Sequence, residues 1–256
     1  MRERKRWVTV VLYAMAMAWV ESAVAFYLRT MMAQMDPYHP YPVHLAKGIG
    51  HAELVREAAT MVMLLTVGWL AAKNWRSRVA YMFIAFGVWD IFYYIFLKVI
   101  SGWPHSIFNW DLLFLIPLPW WGPVLAPCCI ATLMILGGTL VTQFSRAGVR
   151  LWPGGLTWII SFGGAAVALY VFMADTIRVA PQGGEAARNV LPNSFNWPLF
   201  LAALVLMATP VLEIARNVWK RRLVLWQNPE GAGRNGPVGV SITRAGRGSI
   251  NRGEQS

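Results

Sequence analysis

Six apolar runs, each separated from the next by a short polar connection, set the pattern of this chain. They extend over about 7–28, 52–72, 79–100, 124–144, 156–173 and 197–215. Each is close to 20 residues long, which at 1.5 Å per residue crosses a hydrocarbon core of about 30 Å. The pattern predicts an all-α fold, a polytopic transmembrane helical bundle of about six spans. The first run follows Arg2, Arg4, Lys5 and Arg6 and offers Ala23-Val24-Ala25 as a small-residue cleavage site, as a signal peptide would. Glu21 beside that site, and Arg29 closing the run behind aromatic residues, favour an uncleaved anchor.

The segment ahead of the fourth run departs from the pattern. A short apolar piece, Leu112 to Ile116, leads into Pro117-Leu118-Pro119-Trp120-Trp121-Gly122-Pro123, and Pro127 follows. Proline lacks the amide donor and clashes with the preceding turn, so these four prolines cannot all sit in a helix interior. A Pro-broken, partly re-entrant or interfacial stretch is expected, because irregular backbone at membrane depth needs protein around it or a wet cavity beside it. A kink is expected at Pro210 in the sixth run.

Charge adds an orientation. Lysine and arginine gather in alternate connections: the N-terminal four, Lys73, Arg76 and Arg78, Arg146 and Arg150, then Arg216, Lys220, Arg221 and Arg222 lie on one side, thirteen in all. The other side holds five, Arg29, Lys47, Lys98, Arg178 and Arg188. The positive-inside rule then predicts both termini in the cytoplasm. The division expected is a transmembrane domain over 1–222 and a basic tail over 223–256, whose Gly, Arg, Asn and Ser give it little to bury and read as disordered. No internal repeat pairs the first three spans with the last three, which weakens an inverted-repeat transporter reading.

Composition agrees: 57% of residues are hydrophobic and 14% charged, well below the roughly 25% charged of a soluble domain. The net charge of +11 is concentrated at span ends and in the tail, where anionic lipid headgroups are the expected partner and nucleic acid is not. The two cysteines, Cys128 and Cys129, are adjacent and on a helix point about 100° apart, so they read as small packing residues and form no disulfide framework.

The informative residues are the ionisable ones within the spans, since each needs a partner, a cavity or a route to the interface. On the predicted topology Glu21, Glu57, Asp90 and Asp111 converge in the outer half of the first four spans. Arg29, Arg56 and Lys98 are candidate counter-charges, and His51, Glu53 and His105 supporting groups. Glu53 and Glu57 share a helix face, and Arg56 can pair with Glu53 three residues away. Asp90, eleven residues into its span and flanked by Trp89, Tyr93 and Tyr94, is too deep to reach water easily, so it requires a hydrogen-bond partner, a proton or a wet cavity. The competing reading is that Glu53 with Arg56, or Glu21 with Arg29, is an ion pair that fixes helix packing. Asp175 and Glu213 sit near span ends, and helices five and six read as scaffold.

Other chemistries find less support. His39, His44, His51 and His105 lie on or near the outside, with Met31, Met32 and Met35 nearby, and imidazole with thioether would suit copper. A carboxylate-rich iron, manganese or zinc site, or a haem on His51 and His105, are the other arrangements to weigh. No HExxH, ExxH or histidine-box spacing occurs, so no metal ligand is assigned and the cofactor stays unknown. There is no GxSxG, and His105 and Ser106 are neighbours that order no triad; whether the chain is an enzyme is left open. Gly137-Gly138 and Gly163-Gly164 lie inside spans, where glycine permits close helix approach. Trp103, Trp110, Trp120 and Trp121 read as an interfacial aromatic belt.

At Arg56-Glu57-Ala58-Ala59-Thr60, at Trp89-Asp90-Ile91-Phe92-Tyr93-Tyr94 and from Trp110-Asp111 through Pro127, the chain resembles an uncharacterised family of bacterial polytopic inner-membrane proteins with no established activity. The resemblance covers about the first 145 residues. It implies an inner-membrane location and carries over no catalytic residue. The expected role is a carboxylate-containing polar cavity in the outer half of the membrane for proton, cation or small-molecule handling. The alternatives are a non-catalytic subunit or assembly factor of a membrane complex, with other membrane subunits as partners, and a membrane-embedded metal or redox protein.

Overall fold

The computed structural model describes residues 2–31, 47–116, 118–144, 152–183 and 190–227. His39, His44, Met32, Met35, Pro117, Arg146, Arg150, Arg188 and the tail from Asn228 onward lie outside the described residues. Six helices are long and apolar enough to cross a membrane, so this is a multi-pass integral membrane protein. They are α1 (Arg2–Met31), α2 (Lys47–Ala71), α3 (Trp75–Ser101), α4 (Leu125–Phe144), α5 (Gly155–Val179) and α6 (Trp197–Gln227). A short 3-10 turn, Ala180–Gln182, follows α5. The chain forms two compact units, Met1–Val218 and Trp219–Ser256. The first holds the bundle; the second is described only in its helical residues 219–227.

Most helices outrun their apolar cores, because a backbone ladder does not stop where hydropathy does. The polar connection at 73–78 divides accordingly: Asn74 accepts from the Ser77 amide at 2.8 Å and caps α3, so Trp75 to Arg78 form its first turn. At the other end Gly102, with φ of 78°, closes α3 by donating its amide to Lys98. The sixth helix reaches Gln227, five residues into the segment read as tail, since Leu223-Val224-Leu225-Trp226 prolong an apolar pattern behind the basic cluster. Within it Pro210 deprives the Leu206 carbonyl of its amide, and the Thr209 hydroxyl donates to that carbonyl instead, at 2.7 Å.

The Pro-broken segment is a β-hairpin. Strand β1 (Trp110–Phe114) pairs antiparallel with β2 (Trp120–Pro123), with a bulge between Leu112 and Phe114. Pro119 and Pro123 flank or end β2, and Pro127 falls in the first turn of α4, where no amide is required. The hairpin is the irregular element expected there, in a more ordered form: pairing the strands satisfies the amides that a re-entrant coil would leave open.

Helix α3 is central, packed against α1, α2 and α4. The α1 side is a helical stripe, Val10, Ala14, Met17 and Ala18, seated against Leu64 of α2 and Tyr81, Ile84, Ala85 and Val88 of α3. Against α4 the contact is made by small residues in antiparallel register: a Cβ on Gly87 would lie 2.5 Å from the Ala131 carbonyl, and one on Gly138 2.5 Å from the Ala80 carbonyl. A second core joins Ala126, Ala168, Val171, Phe172, Phe200 and Ala203, so α5, α6 and the start of α4 share one layer beside the hairpin. Outward-facing positions are apolar, Val55, Leu70, Leu156 and Val205 among the most exposed, as expected where the surroundings are lipid.

Candidate functional site at the hairpin end

The end of α1, the start of α2, the second half of α3, the hairpin and the start of α4 meet at one end of the bundle, and the costly polar groups are there. The stripe that buries Val10, Ala14, Met17 and Ala18 continues to Glu21 and Ser22, so ordinary helical periodicity carries a carboxylate inward. On α2 the same reasoning groups Glu57, Thr60 and Leu64, all buried.

Two charged groups result. In the first, Arg56 bridges two carboxylates: it pairs with Glu21 of α1 and with Glu53 one turn back on its own helix, its Nε lying 2.9 Å from both Glu53 oxygens. The Thr60 hydroxyl donates to the other Glu21 oxygen at 2.5 Å. In the second, Arg29 donates to Asp111 of β1 at 2.9 Å and lies 4.0 Å over the Trp103 ring. The Tyr94 hydroxyl and the Leu112 amide complete the hydrogen bonds of Asp111. Burial lifts the Asp111 carboxyl above the ordinary aspartate range, and Arg29, Tyr94 and Leu112 offset only part of that rise. Tyr93 feels Asp111, Arg29, Arg56 and Glu53, and so stands between the two groups.

The hairpin is pinned to the bundle from three sides. Glu57 accepts the Leu115 amide with both oxygens, each at 3.1 Å. Asp111 holds Arg29, and on the far side Thr176 of α5 donates to the Pro119 carbonyl at 2.8 Å. Ser22 ties α1 to α3 in the same region, its hydroxyl 2.9 Å from the Tyr93 carbonyl.

Asp90 differs from the other three carboxylates. It lies just past the middle of α3, is 8% exposed, and its Oδ2 has no hydrogen-bond partner among the described residues. Asp111 of the hairpin, Tyr94 one turn further along α3 and Cys128 of α4 are all within electrostatic reach of it. The indole N–H groups of Trp89, Trp103, Trp120 and Trp121 are likewise buried and without hydrogen-bond partners among the described residues.

No protein-family model, no curated protein and no solved structure matches this chain. What it does must therefore be argued from these residues. Glu21, Glu57, Asp90 and Asp111 lie at one end of the bundle, with Arg29, Arg56 and Glu53 among them. Lys98 serves its own helix end, donating to the Gly102 carbonyl at 2.8 Å. His51 and His105 are solvent-exposed or lipid-exposed side chains. Among the described residues no three of His, Cys, Asp and Glu are placed to hold a metal ion. Trp103 and Trp121 are buried rather than spread on an outer belt: Trp103 packs in a cluster with Tyr94, Leu97 and Val124, and Trp121 is an inner position of β2.

Sequence reasoning missed the roles of Ser22 and Thr60, and it placed Tyr94 beside Asp90 without its bond to Asp111; all three supply hydroxyls to this region. Their helical spacing was the available signal: Thr60 is three residues beyond Glu57, and Tyr94 four beyond Asp90. It placed Glu213 near a span end but missed its role: Glu213 receives the Thr157 hydroxyl at 2.6 Å and the Gly154 amide and so caps α5.

Proposed function

We propose that this is a bacterial inner-membrane protein, with both termini in the cytoplasm and the hairpin end facing outward, that takes up a proton, a cation or a small polar molecule at the carboxylates of the hairpin end. One observation carries the reading: Asp90 holds a buried carboxylate oxygen without a hydrogen-bond partner among the described residues, while the neighbouring carboxylates Glu21 and Asp111 are paired. An unpaired oxygen at that depth is costly to a fold and is expected where a ligand supplies the missing interaction. The charge asymmetry supports the orientation, and the resemblance of the first 145 or so residues supports the membrane.

The test is thermal stabilisation of the purified protein in detergent, by a panel of alkali and alkaline-earth cations and small amines and acids, and across pH. Some member of the panel, or protons, should stabilise the wild type more than Asp90→Asn. Identical responses of the two proteins to every addition would contradict the reading.

A second reading is favoured by a different observation. Glu21, Glu53, Glu57 and Asp111 are all satisfied within the chain, as they would be if the charges served packing in a subunit or assembly factor of a membrane complex. A stable membrane partner that co-purifies after mild extraction, together with no ligand response, would support that alternative.

A further inference from the structure

Donor count narrows what Asp90 can hold. A calcium ion needs about six to eight oxygens and zinc about four ligands, and among the described residues no group of three His, Cys, Asp or Glu side chains gathers to supply them. The neighbouring oxygens are engaged: Asp111 receives Arg29, the Leu112 amide and the Tyr94 hydroxyl, while Glu57 receives the Leu115 amide and Glu21 receives Arg56 and Thr60. Arg29 is committed to Asp111 and Trp103, and Arg56 to Glu21 and Glu53. Among the described residues neither guanidinium pairs with Asp90, and Cys128 of α4 lies within electrostatic reach of it. A single free oxygen can bind a proton without further ligands but cannot hold a metal ion that way, and a proton, unlike an organic cation, needs no room beside it.

We infer that Asp90 is a proton-binding group, loaded and unloaded from the hairpin end past Tyr94 and the Asp111–Arg29 pair. This rests on the ligand-site reading above and names its ligand class. Loading is a simple transfer: hydronium gives a proton to Oδ2 and leaves as water, and release reverses it with no change in oxidation state. Tyr94 is placed to lie on the route, because it sits one turn from Asp90 on the same face and its hydroxyl meets Asp111. The fold supplies the selectivity, since the other carboxylates at this end are already bonded.

The experiment uses the full chain in native membranes and the apolar reagent dicyclohexylcarbodiimide. A protonated carboxyl gives its proton to a carbodiimide nitrogen while its oxygen adds to the central carbon, and the adduct rearranges to a stable acylurea. Peptide mapping by mass spectrometry should place the adduct on Asp90 and not on Glu21, Glu57 or Asp111. Above its midpoint the labelling rate should fall about tenfold per pH unit, as for one titrating group. In parallel, infrared difference spectra between low and high pH should show a protonated-carboxyl C=O stretch that is absent in Asp90→Asn and displaced in Asp90→Glu. This second measurement does not depend on reagent access.

A pH-independent Asp90, seen as no C=O band lost in Asp90→Asn, overturns the inference, as does equal labelling of all four carboxylates. If that happens while a metal cation or small molecule still stabilises wild type over Asp90→Asn, only the proton assignment fails. If neither occurs, the ligand-site reading fails with it.

Discussion

Arg29, at the end of α1, donates to Asp111 of β1 at 2.9 Å while its guanidinium stacks on Trp103. The pair fastens the hairpin to the first helix, and Asp111 is the more buried partner. Removing one member should therefore cost more than removing both. Arg29→Met is expected to lose about 2–3 kcal/mol, less than a fully buried pair because Arg29 is partly exposed. Arg29→Met combined with Asp111→Asn should recover part of that loss in thermal melts.

The same pair sets a pH dependence. Burial holds the Asp111 carboxyl above its ordinary range despite Arg29. A raised carboxyl contributes its stability fully below the unfolded aspartate value and loses it as pH rises through the folded value. Arg29→Met raises the folded value further, so its deficit against wild type should be larger at about pH 8 than at about pH 5. A deficit that is flat with pH would show that Arg29 acts through Trp103 alone.

Arg56 bridges Glu21 and Glu53. Its loss leaves Glu21, 8% exposed on its side chain, with only the Thr60 hydroxyl. Arg56→Met should cost about 2–4 kcal/mol, whereas Glu53→Gln, which leaves the interhelical pair intact, should cost about 1 kcal/mol or less. Chemical denaturation in mixed micelles would rank them.

The glycines offer an internally controlled test of packing. A methyl on Gly138 meets the Ala80 backbone carbonyl at 2.5 Å, and one on Gly163 meets nothing within 4 Å. Gly138→Ala should push α3 and α4 apart at a cost of about 1–3 kcal/mol, while Gly163→Ala should melt like the wild type.

Much of this was legible in the sequence because lipid imposes two strong rules, a minimum apolar length and a price for buried charge. Those rules located all six helices and pointed to Glu21, Glu57, Asp90 and Asp111. They were blind to the hairpin, since the rules concern hydropathy and β1 and β2 are defined by cross-strand pairing such as Asp111 with Gly122 and Leu112 with Trp121. They named Lys98 as a possible counter-charge, whereas its ammonium donates to the Gly102 carbonyl at the end of its own helix, a local backbone contact that hydropathy does not report. The paired glycines divided in a way that no local rule anticipates: Gly138 and Gly164 meet a neighbouring helix backbone, while Gly163 faces open space and Gly137 meets only the Val211 side chain.

Orientation is open to direct measurement. With Cys128 and Cys129 replaced by alanine, Ser106→Cys in the loop before the hairpin should react with a membrane-impermeant maleimide in cells whose outer membrane is permeabilised. Arg216→Cys near the end of α6 should react only after the inner membrane is opened. The reverse pattern would invert the proposed topology.

The central claim is that Asp90 is kept for a ligand and not for the fold, and the most direct measurement is the ligand-free thermal stability of Asp90→Asn. A group whose oxygen has no partner costs stability in the folded state, so neutralising it should leave the melting temperature equal to or above that of the wild type. Loss of stability as large as that of Asp111→Asn would contradict the claim and make Asp90 one more packing residue.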